Sequence, residues 1–226
     1  MKLNILKEII KKKENESEFA IITNLETGNS ETFGPDTTIS KDFEKYRDKI
    51  NDFYINKKSG VINDTNIFIE TCLRPIKVII VGAVNIAQYL IDHIKNLNFE
   101  IIIIDPRGYF TTKERFSDVE IINEWPNEAF KKITTDSNTA LITLTHDPKI
   151  DDPALHHALK GKFYYIGALG SKKTHTNRSV RLKLAGFDEN EINSIHGPIG
   201  INLGGKSASE IALSIAAQLV AETHKK

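Results

Sequence analysis

Two short runs of apolar residues constrain the fold of this 226-residue chain more than any other feature. The runs Val78–Val81 and Ile101–Ile104 contain no polar residue, so both faces of each run are apolar. Runs this short do not make a helix, and a strand that is apolar on both faces is typical of a parallel sheet covered by helices on both sides. Neither run approaches the roughly 20 apolar residues that a transmembrane helix needs. The sequence therefore predicts a buried parallel sheet and no membrane span.

Strand-like and helix-like segments alternate through the second part of the chain. The predicted strands are Lys77–Val81, Glu100–Ile104, Val119–Ile122, Ala140–Thr145 and Phe163–Ile166. The clearest predicted helices between them cover residues 151–160 and 172–185. This alternation is typical of a doubly wound, mostly parallel Rossmann-like α/β sheet, which we assign to a domain at residues 76–226.

The pattern before residue 76 is different, and we predict a small α+β unit at residues 1–75. Leu3, Leu6, Ile9 and Ile10 share one face of a short helix over residues 3–12. A second helix is expected through Phe43, Tyr46 and Ile50. The predicted strands are Phe19–Thr23 and Ser30–Phe33, joined as a hairpin, then Phe53–Asn56, Val61–Asn63 and Ile67–Leu73.

Charge and cysteine content exclude several classes of function. The chain has 30 basic and 30 acidic residues, and this balance argues against nucleic-acid binding that depends on excess positive charge. A single cysteine, Cys72, excludes an internal disulfide and a multi-cysteine zinc site, and no His or Cys spacing predicts a metal site. The lysine-rich first 18 residues do not match a signal peptide, so the expected location is the cytoplasm.

A glycine turn after the first buried strand is the first candidate binding site. In Rossmann folds, the turn between a strand and the next helix holds a pyrophosphate on the helix amides. Here that turn comprises Gly82, Ala83, Val84 and Asn85. Asp105 lies about 20 residues further on, where a carboxylate binds ribose hydroxyls, and Arg107 is suited to a phosphate. The alternative is a plain turn followed by a surface ion pair.

Two later strands are also followed by polar residues. Thr145 and His146 follow one of them, and a loop rich in glycine, hydroxyl groups and lysine follows the next. Such a loop before a helix is a candidate anion site, or else a solvated loop. Its candidate residues are Gly167, Gly170, Ser171, Lys172 and Thr174. The start of the last helix, where Ser207 and Glu210 form a capping box, is a further candidate.

Several of these segments resemble the XdhC/CoxI family of accessory factors for xanthine dehydrogenase and carbon monoxide dehydrogenase. The resemblance covers roughly residues 75–222, and its most specific block is Gly-Ala-Leu-Gly-Ser-Lys-Lys-Thr-His at residues 167–175. Further similar segments are Thr145–Pro148, Asp152–Leu155, Ala185–Phe187, Ile195–Gly200 and Glu210–Ala212. The resemblance implies a Rossmann-like domain and a role in binding the molybdenum cofactor, supporting its sulfuration and delivering it to a large hydroxylase. It implies a chaperone more than a catalyst, and no catalytic residue is assigned.

The sequence departs from that family at two places. The family's glycine turn usually reads Gly-Ala-Gly-His, whereas Val84 and Asn85 occupy the last two positions here. The Gly-Gly-Cys-x-Glu segment of the family's N-terminal domain is not found in residues 1–75, and Cys72 has a different setting. Contacts made by those family residues are therefore not carried over to this chain.

Three functions remain open from the sequence. The first is a maturation factor that binds the molybdenum cofactor, as a pterin phosphate or a dinucleotide form, and serves an apo molybdenum hydroxylase, with a cysteine desulfurase as a further partner. The second is an NAD(P)-dependent oxidoreductase, which the fold permits but no catalytic Tyr-x-x-x-Lys pattern supports. The third is an assembly module without a ligand, which Val84 favours. The last helix is apolar over much of its surface, which predicts burial against the sheet or against another subunit. Together with the short N-terminal unit, this helix suggests a homodimer.

Overall fold

The computed structural model describes residues 3–15, 17–117 and 119–225. The chain divides into two compact units, Met1–Pro75 and Ile76–Lys226. In the part of the chain that is described, no helix is both long enough and apolar enough to cross a membrane.

The first unit is a four-stranded antiparallel sheet with three helices among its described residues. Its strand order is β2-β1-β4-β3. The helices are α1 (Leu3–Glu14), α2 (Lys41–Glu44) and α3 (Arg47–Ile55). The strands are β1 (Phe19–Asn24), β2 (Ser30–Phe33), β3 (Gly60–Val61) and β4 (Ile67–Cys72).

Separate hydrophobic clusters cover the two faces of this sheet. Ile9 of α1 packs against Phe19 and Ile21, whereas Ile50 of α3 packs with Ile22 and other strand residues on the opposite face. The predicted hairpin is confirmed, because β1 and β2 pair antiparallel. The strand predicted at Phe53–Asn56 is wrong, because α3 continues to Ile55. The single helix predicted through Phe43 and Ile50 is two helices.

The second unit contains six strands and six α-helices among the described residues. The strands are β5 (Ile76–Val81), β6 (Phe99–Ile104), β7 (Glu120–Ile122), β8 (Thr139–Thr143), β9 (Tyr165–Ala168) and β10 (Ile195–His196). The helices are α4 (Asn85–Ile94), α5 (Pro126–Ala129), α6 (Pro148–Lys160), α7 (Lys172–Leu184), α8 (Glu189–Asn193) and α9 (Ala208–Thr223). A 3-10 helix covers Gly108–Phe110.

All six strands of this sheet are parallel, in the order β10-β9-β8-β5-β6-β7. This is the Rossmann order, in which the chain first builds outward from β5 through β6 to β7 and then crosses back to β8. The reversal lies between β5 and β8, whose register pairs Val81 with Thr143. The predicted doubly wound fold is confirmed. Its ligand crevice is expected at the carboxyl ends of β5 and β8.

The sheet is buried on both faces, as its apolar strands predict. Val78 and Ile80 point to the side covered by α4 and α9, where Leu90 and Ile215 are fully buried. Ile79 and Val81 point to the side covered by α5, α6 and α7. Because successive side chains of a strand face opposite ways, only an uninterrupted apolar run satisfies both layers.

Candidate functional site

Four loops meet the carboxyl edge of the parallel sheet. They follow β5, β6, β8 and β9, and the strand order places them side by side along the edge. Except for Gly167 and the start of α9, every candidate lies in one of these loops or in the first turn of the helix that follows it. The candidates therefore share one edge of the domain, although the direct contacts join only some of them.

Gly82 makes the sharp turn at the end of β5. Its backbone has φ +113, a conformation that residues with a side chain rarely adopt. A Cβ atom at Gly82 would also lie 2.7 Å from Cγ2 of Thr145, beyond the end of β8. Glycine is required here so that the ends of two strands can pack closely. This requirement explains the glycine without a role in ligand binding.

Asp105, at the end of β6, is fully buried and holds the glycine turn in place. Its Oδ2 accepts a hydrogen bond from the amide of Ala83 at 2.8 Å. Arg107 donates to the same carboxylate twice, from Nε to Oδ1 at 2.9 Å and from Nη2 to Oδ2 at 2.8 Å. The amide of Arg107 adds a fourth bond, to Oδ1. In this arrangement the carboxylate faces protein donors rather than the crevice.

The electrostatics of this pair favour the ionised forms. Burial opposes ionisation of Asp105, but the hydrogen bonds from Arg107 and Ala83 outweigh it and hold the pKa of Asp105 below its usual value. The Asp105 carboxylate likewise raises the pKa of Arg107. The side chain of Arg107 remains 37% exposed, so it can still reach a ligand in the crevice. A ribose would contact Asp105 only if Arg107 moved.

Helix α4 begins at the glycine turn without a side-chain cap. Val84 occupies the N-cap position in extended conformation, and its side chain has no acceptor for the first amides of the helix. Val84 is half-buried against the core on the α4 side, and Asn85 is exposed. Val84, which stands at the second glycine position of the family's turn, therefore leaves the first amides of α4 without a side-chain acceptor and places an apolar side chain beside them.

A half-buried threonine and a buried aspartate form a polar pair behind the loop that follows β8. The hydroxyl of Thr145 donates to Oδ1 of Asp151 at 2.6 Å, and the Thr145 amide lies 3.3 Å from the same oxygen. Burial raises the pKa of Asp151, although these hydrogen bonds and the charge of Arg178 oppose the shift. Asp151 thus fixes the position of Thr145, whose methyl group packs on Gly82.

His146 is exposed at the mouth of the crevice. Its backbone has φ +62, which is uncommon for a residue other than glycine. The next residue, Asp147, caps α6 by accepting a bond from the amide of Lys149 at 2.9 Å. A residue whose backbone is held in a sparsely populated conformation at a crevice is a reason to test it for function.

The loop after β9 leads to the remaining candidates. Ser171 caps α7, accepting a bond from the Thr174 amide at 3.1 Å, and the side chain of Thr174 packs on Gly170. Lys172 is exposed at the first position of the helix. Gly167 lies inside β9, where the side chain of Ile199 fills the space that a Cβ would need. Gly167 therefore makes room for Ile199 within the domain core and does not belong to the crevice loops.

Arg178 lies beneath this loop and is 2% exposed. Its Nη2 donates to the carbonyl of Leu169 at 2.7 Å, and its Nε has no partner in the described chain. Burial lowers the pKa of Arg178, and the charge of Asp151 opposes that shift. Arg178 attracts Asp151, and Asp151 binds Thr145. Electrostatic attraction thus links the loop after β9 to the loop after β8.

The sequence analysis missed the roles of Asp151 and Arg178. A signal for Asp151 was present, because it falls within the apolar stripe of α6 formed by Ile150, Ala154 and Leu155. A charged residue at a buried helical position needs a partner. Arg178 lies four residues after Thr174, so the sequence places the two on one helical face, but its mostly polar neighbours on α7 gave no sign that it would be buried.

The start of α9 does not support the predicted anion site. The capping box is present, with Ser207 accepting from the Glu210 amide. The carboxylate of Glu210 in turn accepts bonds from the amides of Lys206 and Ser207. A negative carboxylate therefore already lies at this helix start, bound to the amides of Lys206 and Ser207.

Comparison with known proteins identifies the family. Residues 78–219 match the model of the XdhC Rossmann domain. The chain is 38% identical over 102 residues to the molybdenum cofactor insertion chaperone PaoD of Escherichia coli, covering 45% of this chain and 31% of that protein. It is 26% identical over 163 residues to a Bacillus subtilis protein named as a probable xanthine dehydrogenase subunit, covering 72% of this chain and 47% of that protein.

A solved structure shows the same fold. The chain resembles a xanthine dehydrogenase crystal structure from Bacillus halodurans with a TM-score of 0.73 and 22% identity, over 98% of this chain and 64% of that one. The chain spans less than half the length of the two curated relatives. Because the family match covers most of the chain and includes the whole crevice edge, this protein belongs to the XdhC family.

Proposed function

We propose that this protein is an accessory factor that binds the molybdenum cofactor and delivers it to an apo molybdenum hydroxylase of the xanthine dehydrogenase type. The relative from E. coli is named as an insertion chaperone for this cofactor, and the relative from B. subtilis is named as part of a probable xanthine dehydrogenase. In this proposal the cofactor is cargo that the protein holds and releases.

The observation that carries the proposal is the charge arrangement at the crevice. The uncapped start of α4, the partly exposed Arg107 and the exposed Lys172 lie along one edge of the matched domain. Helix amides and guanidinium groups are donors suited to phosphate oxygens. An anionic pterin phosphate, or its dinucleotide form, is the ligand class that these donors fit.

The two alternatives receive less support from the geometry. For an NAD(P)-dependent oxidoreductase, Asp105 should face a ribose, but its oxygens accept bonds from Ala83 and Arg107. For a ligand-free assembly module, Val84 should close the crevice, but it leaves the first amides of α4 without a cap.

The proposal also covers the partner proteins, the oligomeric state and the cellular compartment. A cysteine desulfurase would supply the sulfur for cofactor sulfuration, and the protein would act as a homodimer. A single cysteine fits a reducing compartment, in line with a cytoplasmic site of action.

The direct test is activation of an apo hydroxylase. The purified protein is loaded with released molybdenum cofactor, and the activity gained by the apo enzyme is compared with and without the protein. Lys172→Ala should weaken cofactor retention about tenfold, because it removes a charge-assisted contact. Lys95→Ala, at the opposite end of α4, is the matched control and should have no effect.

Each outcome of this test is informative. Faster or more complete activation with the loaded protein supports the delivery role. Cofactor retention without activation would indicate storage, and selective retention of NAD in competition would favour the oxidoreductase. Native mass spectrometry of the same samples reports both the bound mass and the oligomeric state.

A further inference from the structure

A second concave surface lies next to the glycine turn, at the end of β6. It has a volume of about 550 Å³ and lies between the start of α4 and the 3-10 helix with the segment that follows it. This volume falls within the range of small-molecule sites. We call it the aromatic shelf, and it is lined by Val84, Asn85, Tyr109, Phe110, Thr112 and Arg115.

Two aromatic rings of the shelf are open to solvent. Tyr109 is 89% exposed and Phe110 is 38% exposed. The ring centroids are 5.7 Å apart and the planes meet at 84°. Single exposed aromatic residues need no explanation, but adjacent exposed rings that line a concavity form a surface on which a flat ring can stack.

The segment that carries these rings is held in place. Arg115 donates from Nη1 to the carbonyl of Phe110 at 2.6 Å and from Nη2 to Oε1 of Gln88 at 2.9 Å. The hydroxyl of Thr111 bonds to the carbonyl of Gly108 at 3.0 Å. The guanidinium of Arg107 lies 4.8 Å from the centroid of the Phe110 ring. A fixed surface loses less conformational entropy on binding than a mobile loop does.

The charge of the shelf is positive. Within the described chain, the hydrogen bonds of Arg115 go to the neutral oxygens of Gln88 and Phe110, so no carboxylate contact neutralises it. Arg107 places a second, partly exposed guanidinium beside Phe110, but its charge is balanced by Asp105, so the net charge of the shelf comes from Arg115. A ligand for this surface combines a planar ring with a negatively charged group.

We propose that the aromatic shelf binds the planar heterocyclic ring of a phosphate-bearing ligand by stacking on Tyr109. Asn85 lines the shelf and also begins α4, so ring and phosphate would occupy adjoining parts of one site. The shared chemistry is a nitrogen heterocycle joined to phosphate, either a nucleobase or a pterin. This inference rests on the proposed ligand-binding role of the crevice and assigns its ring-binding part.

The test compares three proteins with three probes by isothermal titration calorimetry. The proteins are the full-length wild type, Tyr109→Ala and Tyr109→Phe. The probes are CDP, a pterin monophosphate and inorganic pyrophosphate, which lacks a ring. Stacking on one aromatic side chain predicts that Tyr109→Ala weakens at least one ring-bearing probe about tenfold. Tyr109→Phe should bind as the wild type does, and pyrophosphate should bind all three proteins equally.

The probes separate the two sources of the ring. A loss with CDP alone identifies a nucleobase, and a loss with the pterin alone identifies a pterin. The inference is overturned if the wild type binds neither ring-bearing probe, if Tyr109→Ala binds both normally, or if Tyr109→Phe loses as much affinity as Tyr109→Ala. Because Tyr109 is so exposed, the thermal unfolding of both variants should match that of the wild type.

Activation of the apo hydroxylase distinguishes a failure here from a failure of the proposed function. If the wild type activates the hydroxylase but ring binding does not depend on Tyr109, the delivery role stands and the shelf assignment falls. If ring binding depends on Tyr109 but no activation occurs, the shelf assignment stands and the delivery role falls.

Discussion

Arg107 donates two side-chain hydrogen bonds to Asp105, and the Asp105 carboxylate is buried while the arginine remains partly exposed. In a dinucleotide-binding fold the acid at this position binds a ribose. Here it binds the turn that precedes α4, through the amide of Ala83. The pair therefore stabilises the crevice and presents a guanidinium to it.

Replacing the acid should reduce stability. Asp105→Asn keeps the size of the side chain but removes the charge that accepts bonds from Arg107 and Ala83. We expect the free energy of unfolding at pH 7 to fall by about 2 kcal/mol, the scale of a buried hydrogen bond to a charged group. Urea unfolding measures this change. A variant as stable as the wild type would show that the pair is dispensable for folding.

The effect of Asp105→Asn should depend on pH. Because the folded pKa of Asp105 lies below its usual value, its contribution is fully present above the unfolded pKa of about 3.9. The contribution is lost as the pH falls through the folded pKa. The difference in unfolding free energy between wild type and variant should therefore be constant near neutrality and shrink below about pH 4. A difference that stays the same at low pH would contradict this assignment.

The packing of Gly82 on Thr145 can be tested with a double-mutant cycle. Gly82→Ala combines an unfavourable φ with a Cβ placed 2.7 Å from the Thr145 methyl group, and we expect it to cost about 2 kcal/mol or more. Thr145→Ser removes that methyl and keeps the hydroxyl, so the double variant should recover at least about 0.5 kcal/mol. Additive effects would rule out the contact.

Gly186→Ala is the matched control for this cycle. Gly186 also has a positive φ, +94, but a Cβ there would have no neighbour within 4 Å. Its substitution measures the cost of the backbone conformation without a clash. Gly82→Ala should cost more than Gly186→Ala, and equal costs would mean that the Thr145 contact contributes nothing.

The hydroxyl of Thr145 should matter because it bonds to a buried carboxylate. Thr145→Val keeps the shape of the side chain but removes the donor to Asp151, and we expect a loss of about 1–3 kcal/mol. Burial raises the folded pKa of Asp151, because ionising the buried carboxyl group costs free energy. The Thr145 hydroxyl bond lowers this pKa, so Thr145→Val should raise the folded pKa of Asp151 further, and the loss should grow as the pH rises through the folded pKa of the wild type.

Denaturant titrations of wild type, Thr145→Val and Thr145→Ser across this pH range measure the effect. Thr145→Ser keeps the hydroxyl and serves as the control, with a smaller loss that does not change with pH. If the loss of unfolding free energy in Thr145→Val is equal at all pH values, the hydroxyl does not interact with the charge of Asp151.

The capping box of α9 gives a fourth prediction. Ser207→Ala removes the acceptor for the Glu210 amide and should lower stability by about 1 kcal/mol, whereas Ser207→Asp keeps a capping oxygen and should lower it less. Phosphate affinity should not change in Ser207→Ala, because the Glu210 carboxylate already lies at this helix start, on the amides of Lys206 and Ser207. Thermal unfolding with and without phosphate tests both statements.

The fold was predictable where a physical requirement of a helix or strand is met by residues that lie close together in the sequence. The apolar runs that contain Ile79 and Ile102 are buried on both faces, as a parallel strand between two helical layers must be. The capping box at Ser207 was predictable because both partners lie within one helical turn. The strand predicted at Phe53–Asn56 failed because short apolar segments do not distinguish a strand from a helix end.

The sequence by itself determined the parallel α/β class of the second domain, the glycine turn and the family to which the chain belongs. Only the tertiary structure decided what Asp105 binds, because its partners are set by how the end of β6 meets the turn after β5. The same holds for Asp151 with Thr145, and for the exposed rings of Tyr109 and Phe110. Local patterns specify helices and strands, whereas the direction and burial of a polar side chain depend on contacts between residues far apart in the chain.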